Sequence, residues 1–215
     1  MADPDPRPPL YGLDIETDTT VDGLDPSVGR VLAVAVATAD GVTVVDDADE
    51  GQLLGRLDQH LADLAPGVIV TWNGARFDLP YLWARADAAG VGLGLALVAD
   101  PSRARAPRSG DPRRSAGRSA ADRAGGYRAW WGGHRHLDVY RCYRADVGRA
   151  LGMACSLKAV AALAGLAPVE VDAARMHVLD RATLRAYVAS DAACTRELAE
   201  RRWANAWPAV DRVVP

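Results

Sequence analysis

An α/β fold built around a mixed sheet is predicted for this chain of 215 residues, and three observations predict it. Strand and helix patterns follow one another as three closely spaced strands, a helix, a strand, and then helix and strand in alternation. Two of the strand patterns, Arg30–Thr38 with its Val, Leu and Ala centre and Val68–Trp72, read as strands covered on both faces. Apolar residues make up 49% of the chain and charged residues 25%, a balance that can bury a real core.

Taken in order, Leu10–Ile15 is a short strand pattern behind Pro8-Pro9, Arg30–Thr38 a second and Gly41–Val45 a third. The turn at Asp40-Gly41 makes the second and third a hairpin. Asp49 followed by Gln52 has a capping-box spacing and opens a helix whose apolar stripe is Leu53, Leu54, Leu57, Leu61 and Leu64. Pro66-Gly67 ends it, and Val68–Trp72 follows as a buried strand. Residues 78–89 read as a helix carrying Leu79, Leu82, Trp83 and Ala86. Asp100–Gly126 has almost no large apolar residue; a disordered or weakly ordered arginine-rich insertion is expected at about 100–129, within one domain spanning 1–215. His136–Tyr140 resumes as a strand. Ser156 caps a helix with Leu157, Val160, Ala161 and Ala164 on one face, closed by Gly165, and Asp180 caps a last long helix over about 181–205. The count is five strands, three antiparallel and then two parallel, flanked by helices. Sheets of this kind bind ligands at the carboxyl ends of their strands.

Composition excludes several classes. No apolar run approaches the roughly 18–20 residues that span a bilayer, and the opening Met1-Ala2-Asp3-Pro4-Asp5-Pro6 has no signal-peptide pattern, so a cytoplasmic protein with no membrane partner is expected. Three cysteines (Cys142, Cys155 and Cys194), none close to another, argue against a disulfide framework or a zinc site. The net charge of −3 hides an asymmetry: residues 1–100 carry 17 acids and 5 arginines, residues 101–149 carry 12 arginines and 4 acids. An acidic half joined to a basic segment suits a polyanionic partner, a metal site, or a loop merely covered with arginine. Of the 25 bases only Lys158 is lysine, a bias that fits high-GC coding.

Three groups of residues stand out. Asp14 and Glu16 share a strand face, because side chains alternate with period two, and they stand where the apolar run stops. Either a cation lies between them or the strand has ended and both are solvated. Asp78 falls near a strand end and in the first turn of a helix, where helix capping is the competing reading; Asn73-Gly74 before it suits a tight turn. Tyr187 and Asp191, four apart on a helix, are neighbours on the stripe Leu184, Tyr187, Val188, Asp191, with a solvated helix edge as the alternative. Four carboxylates directed into one cleft would repel, and two Mg²⁺ ions about 3.5–4 Å apart would relieve that repulsion and serve phosphoryl transfer.

The order Asp14-x-Glu16, Asn73-x-x-x-Phe77-Asp78, Tyr187-x-x-x-Asp191 resembles the three motifs of the DEDD 3′–5′ exonucleases, which have a ribonuclease-H-like fold. Asp14-Ile15-Glu16-Thr17 and Phe77-Asp78-Leu79-Pro80-Tyr81-Leu82 are particularly similar to the proofreading exonuclease domain of family B DNA polymerases. Tyr187 four before Asp191, with Ala186 where the other branch has histidine, is similar to the tyrosine branch. The resemblance implies a ribonuclease-H-like sheet and metal-dependent hydrolysis at the 3′ ends of single-stranded nucleic acid, DNA favoured. It implies Asp14, Glu16, Asp78 and Asp191 as ligands of two Mg²⁺ or Mn²⁺ ions and Tyr187 as the group orienting water. Thr17, Asn73 and Phe77 would line the terminal-nucleotide slot, Phe77 by packing or by stacking. A catalytically inactive nucleic-acid-binding module and a structure-specific endonuclease are the alternatives. Outside the motifs, seven arginines at 103–123 could track a strand, Trp130-Trp131 could stack bases or pack, and Asp138 could support the site or cap a helix over 139–147.

Overall fold

The computed structural model describes residues 7–20, 22–100, 126–171 and 178–211. Seven strands form one mixed sheet: β1 (Leu10–Thr17), β2 (Val31–Ala37), β3 (Val42–Val45), β4 (Val68–Thr71), β5 (Leu95–Ala99), β6 (Tyr127–Trp131) and β7 (His134–Asp138), in the order β3-β2-β1-β4-β7-β6-β5. The helices are α1 (Glu50–Asp63), α2 (Asp78–Ala89), α3 (Val139–Tyr143), α4 (Leu157–Leu163) and α5 (Arg181–Ala206). A π-helical turn, Arg144–Gly148, continues α3, and a 3₁₀ turn, Trp207–Ala209, follows α5.

β1, β2 and β3 are antiparallel, while β1, β4 and β7 run parallel. This is the expected ribonuclease-H-like α/β arrangement, two strands wider than the five expected. The additional pair is β5 and β6, joined antiparallel. Tyr127–Ala129, assigned to the insertion from its composition, is therefore strand: the alternation that buries Ala129 and Trp131 in the core under α1 and α2 is short and easily hidden beside the arginines. The remainder of the expected insertion, residues 101–125, lies outside the described residues. Strand β7 ends at Asp138, and Val139-Tyr140 opens α3 instead of extending the strand.

Two cores lie on opposite sides of the sheet, and β4 shows why. Ile69 joins the α1–α2 core with Leu13, Ile15, Leu57, Leu79 and Leu82, whereas Val68 and Val70 join Leu137, Val160 and Leu198 on the other side. The helix starts are capped as their sequences dictate: Asp49 accepts the Gln52 N–H, Ser156 that of Ala159 and Asp180 that of Thr183. Trp83, expected on the buried stripe of α2, is instead half exposed. Among the described residues, no helix is long and apolar enough to cross a membrane.

Candidate active site

The site begins with the pleat of β1. Leu13 and Ile15 enter the α1–α2 core, so Gly12, Asp14 and Glu16 line the opposite face. Helix α5 crosses there. A Cβ on Gly12 would stand 2.1 Å from the Ala192 carbonyl oxygen, so only glycine permits the approach. Ala33, Ala35 and Ala37 of β2 deepen the same trough for Val188 and Ala192. Asp191, next to Ala192 and buried, is thereby laid against the acidic face of β1.

Asp78 arrives from the other side of the strand. It is the first residue of α2, is buried, and its carboxylate accepts the backbone N–H of Ile15, the residue between Asp14 and Glu16. The turn before it is tightly determined. Asn73 is left-handed (φ 67°), and a Cβ on Gly74 would meet the Thr71 side chain at 2.4 Å. Asp138 makes no side-chain cap on α3; its Oδ1 accepts the Asn73 N–H at 2.9 Å and braces this turn. Register explains the pairing, since Asp138 lies opposite Thr71 at the ends of β7 and β4.

Burial and mutual repulsion dominate the electrostatics. Asp14 is held well above the usual carboxylate range, by burial first and then by the charges of Asp78, Glu16 and Asp191. Burial, with Asp191 and Asp78, pushes Glu16 up to about 8. Asp78 rises to about 7 through burial, partly offset by its backbone hydrogen bonds. Asp191 is raised by burial and relieved by Lys158. Burial, followed by the charges of Asp191, Glu16 and Asp14, pushes the Tyr187 phenol far above its ordinary value. The four acids and Tyr187 thus share one electrostatic neighbourhood.

Lys158 completes it and was not read as a site residue in the sequence. Its ammonium donates to Asp191 Oδ1 and, at 2.7 Å, to the Val169 carbonyl, and it lies 4.2 Å over the Tyr187 ring. The available signal is its standing as the single lysine, second residue of a helix capped by Ser156, a singularity that base composition also explains. Among the described residues, no three carboxylate, imidazole or thiol groups are poised as they stand to hold one metal ion. The donor chemistry nevertheless suits a hard divalent cation: buried carboxylate oxygens, destabilised as anions by one another and already drawing in an ammonium.

The supporting residues divide. Thr17 is buried and its hydroxyl donates to the Gly23 carbonyl at 2.7 Å, holding the loop after β1. Phe77 is half-buried against Tyr81, ring centroids 5.3 Å apart. Trp131 packs in the core and donates to Asp58 Oδ1 at 2.6 Å, while Trp130 is half-buried. The arginines at 103–123 fall outside the described residues.

The model of the DNA polymerase family B exonuclease domain matches residues 6–147, more than half of the chain. The chain belongs to the family B DNA polymerase exonuclease domain family. Membership supports a 3′–5′ exonuclease-type function, and the match includes Asp14, Glu16 and Asp78 while ending before Tyr187 and Asp191. Among solved structures, the family B DNA polymerase of the hyperthermophilic archaeon Pyrobaculum calidifontis is similar in fold, with a TM-score of 0.64 and 24% identity over 92% of this chain. The exonuclease-family chain spans about a quarter of that polymerase, 25% of its length. No curated protein matches it.

Proposed function

We propose that this chain is a divalent-metal-dependent 3′–5′ exonuclease that releases nucleoside monophosphates from the 3′ ends of single-stranded nucleic acid, DNA favoured. The observation that carries the reading is the shared electrostatic neighbourhood of Asp14, Glu16, Asp78 and Asp191, drawn from one strand and two helices of a chain in this family. These carboxylates would hold two Mg²⁺ or Mn²⁺ ions. Bound divalent ions supply Lewis acidity to the phosphodiester and make water nucleophilic near neutral pH.

The remaining chemistry falls to the chain itself. With its phenol raised, Tyr187 keeps its proton at neutral pH and orients the attacking water as a hydrogen-bond donor, not as a base. The Lys158 ammonium adds fixed positive charge where the phosphorane charge develops. Asn73, in its braced turn, and Phe77 form the wall for the terminal nucleotide, with Thr17 holding the loop behind them.

A 5′-labelled oligonucleotide incubated with Mg²⁺ is expected to give a ladder shortening from the 3′ end, with circular DNA intact and Asp14→Ala inactive. Equal products from wild type and Asp14→Ala would remove the assignment. The ammonium on Asp191 is the one observation favouring the alternative, a binding module of the same fold without activity. That alternative requires an intact ladder substrate at every Mg²⁺ and Mn²⁺ concentration.

A further inference from the structure

A cleft of about 1670 Å³ opens beside the acidic cluster, larger than the 300–1,000 Å³ typical of small-ligand pockets. Its walls include Phe77 and Leu157, the residues immediately before Asp78 and Lys158, so it abuts the site. α3 and the π-helical turn also line it, through Arg141 and Arg144, as does Arg149 directly after the turn. All three are exposed, and none has an acidic partner among the described residues. That sets them apart from other exposed arginines: Arg56 pairs with Asp47, Arg181 with Asp46, and Arg201 with Glu197. Arg144 instead donates to the Tyr140 hydroxyl at 2.6 Å, and Tyr140 stands edge-on to Trp72 at 5.9 Å. Both rings are half-buried and line the cleft.

We propose that this cleft is the track for the strand that leads 5′-ward from the reacting end. Arg141, Arg144 and Arg149 neutralise phosphates of the backbone, and Trp72 and Tyr140 offer ring surface to unstacked bases. The inference rests on the exonuclease reading for the strand's polarity. Its distinctive content is that affinity comes from the α3 and π-helical wall, on residues outside the three motifs. The π-helical turn suits that use, because its unusual geometry re-aims side chains and is frequent at functional sites.

The test is binding of a 5′-fluorescein-labelled 16-mer of deoxythymidine in EDTA, read by anisotropy over a salt series. For single strands each neutralised phosphate adds about 0.7 to the slope of log affinity against log salt. Arg141→Gln/Arg144→Gln/Arg149→Gln should therefore flatten the slope by about 2 and weaken binding at least tenfold at low salt, and Arg149→Gln alone should flatten it by about 0.7. Arg56→Gln, on α1 away from the cleft, should bind as wild type does. Inorganic polyphosphate of equal charge should bind wild type about tenfold more weakly, for want of stacking. With Mg²⁺, the triple variant should lose kcat/KM on the 16-mer more than on a dinucleotide.

An unchanged slope and affinity in the triple variant overturns the track even if wild type degrades the 16-mer, which leaves the exonuclease reading standing. Equal binding of polyphosphate overturns the choice of nucleic acid. A wild type that binds through these arginines but never shortens the strand keeps the track and rejects the exonuclease.

Discussion

At the scale of single residues, the centre of the site is a contest over charge. Asp14, Glu16, Asp78 and Asp191 each lose hydration in the fold, and what faces them is largely one another, relieved by Lys158 near Asp191 and by backbone N–H groups at Asp78. Tyr187 is shaped by the same field. Because burial, and then three carboxylates, resist its ionisation, the hydroxyl stays a donor throughout the neutral range. Tyr187→Phe removes that donor and nothing that ligates. Turnover should fall about a hundredfold, as for loss of one oriented donor, while Mg²⁺ affinity measured by calorimetry stays within about twofold. Equal losses in both would make the tyrosine a structural support for the ligands.

At the scale of elements, the position of α5 decides whether Asp191 meets the other acids, and two contacts set it. The first is the absence of a side chain at Gly12. Gly12→Ala drives a methyl into the Ala192 carbonyl and should cost about 1–3 kcal/mol by overpacking, with a larger proportional loss of activity than of stability as Asp191 is levered away; denaturant titration and turnover measure the two. The second is at the helix start, where Arg181 Nε donates to Asp46 Oδ2 at 2.5 Å and Arg185 also bonds this carboxylate. These bonds hold Asp46 below its ordinary value. A lowered folded value gives stability that is present above the unfolded value of 3.8 and is lost as pH falls through the folded one. Asp46→Asn should therefore cost about 1–2 kcal/mol at pH 7, kept small by the exposure of Arg181. The difference between wild type and variant should close below pH 3.8; a gap that persists in acid would show that the arginines do not act through charge.

At the scale of the whole molecule, the sheet order places parallel strands β1, β4 and β7 side by side, so that the ends of all three, with Glu16, Thr71 and Asp138, open on one side. Strain shared across that edge should be relieved by a divalent cation. At a hundredfold excess over its dissociation constant, Mg²⁺ should add about 2.7 kcal/mol, raising Tm by roughly 5–10 °C for a chain of this size, and Asp14→Ala should abolish the shift. Much of this edge was legible in the linear chain because strand alternation and helical spacing are local: Asp14 with Glu16, and Tyr187 with Asp191, share faces by backbone geometry alone. The helix caps at Asp49, Ser156 and Asp180 were legible for the same reason. The β5–β6 pairing was not, because ladder partners are set by distant strands and the arginines hid the short apolar alternation at Ala129 and Trp131. Nor were the bracing of Asn73 by Asp138 across 65 positions or the meeting of Lys158 with Asp191 across 33. The sequence by itself determined which acids share a face and where α1, α2, α4 and α5 begin, since those follow from bond rotations between near neighbours. Only the tertiary structure decided which faces meet, which cation stands among the acids, and which arginines have no acidic partner among the described residues, because packing and long-range charge act between segments that the chain order keeps apart.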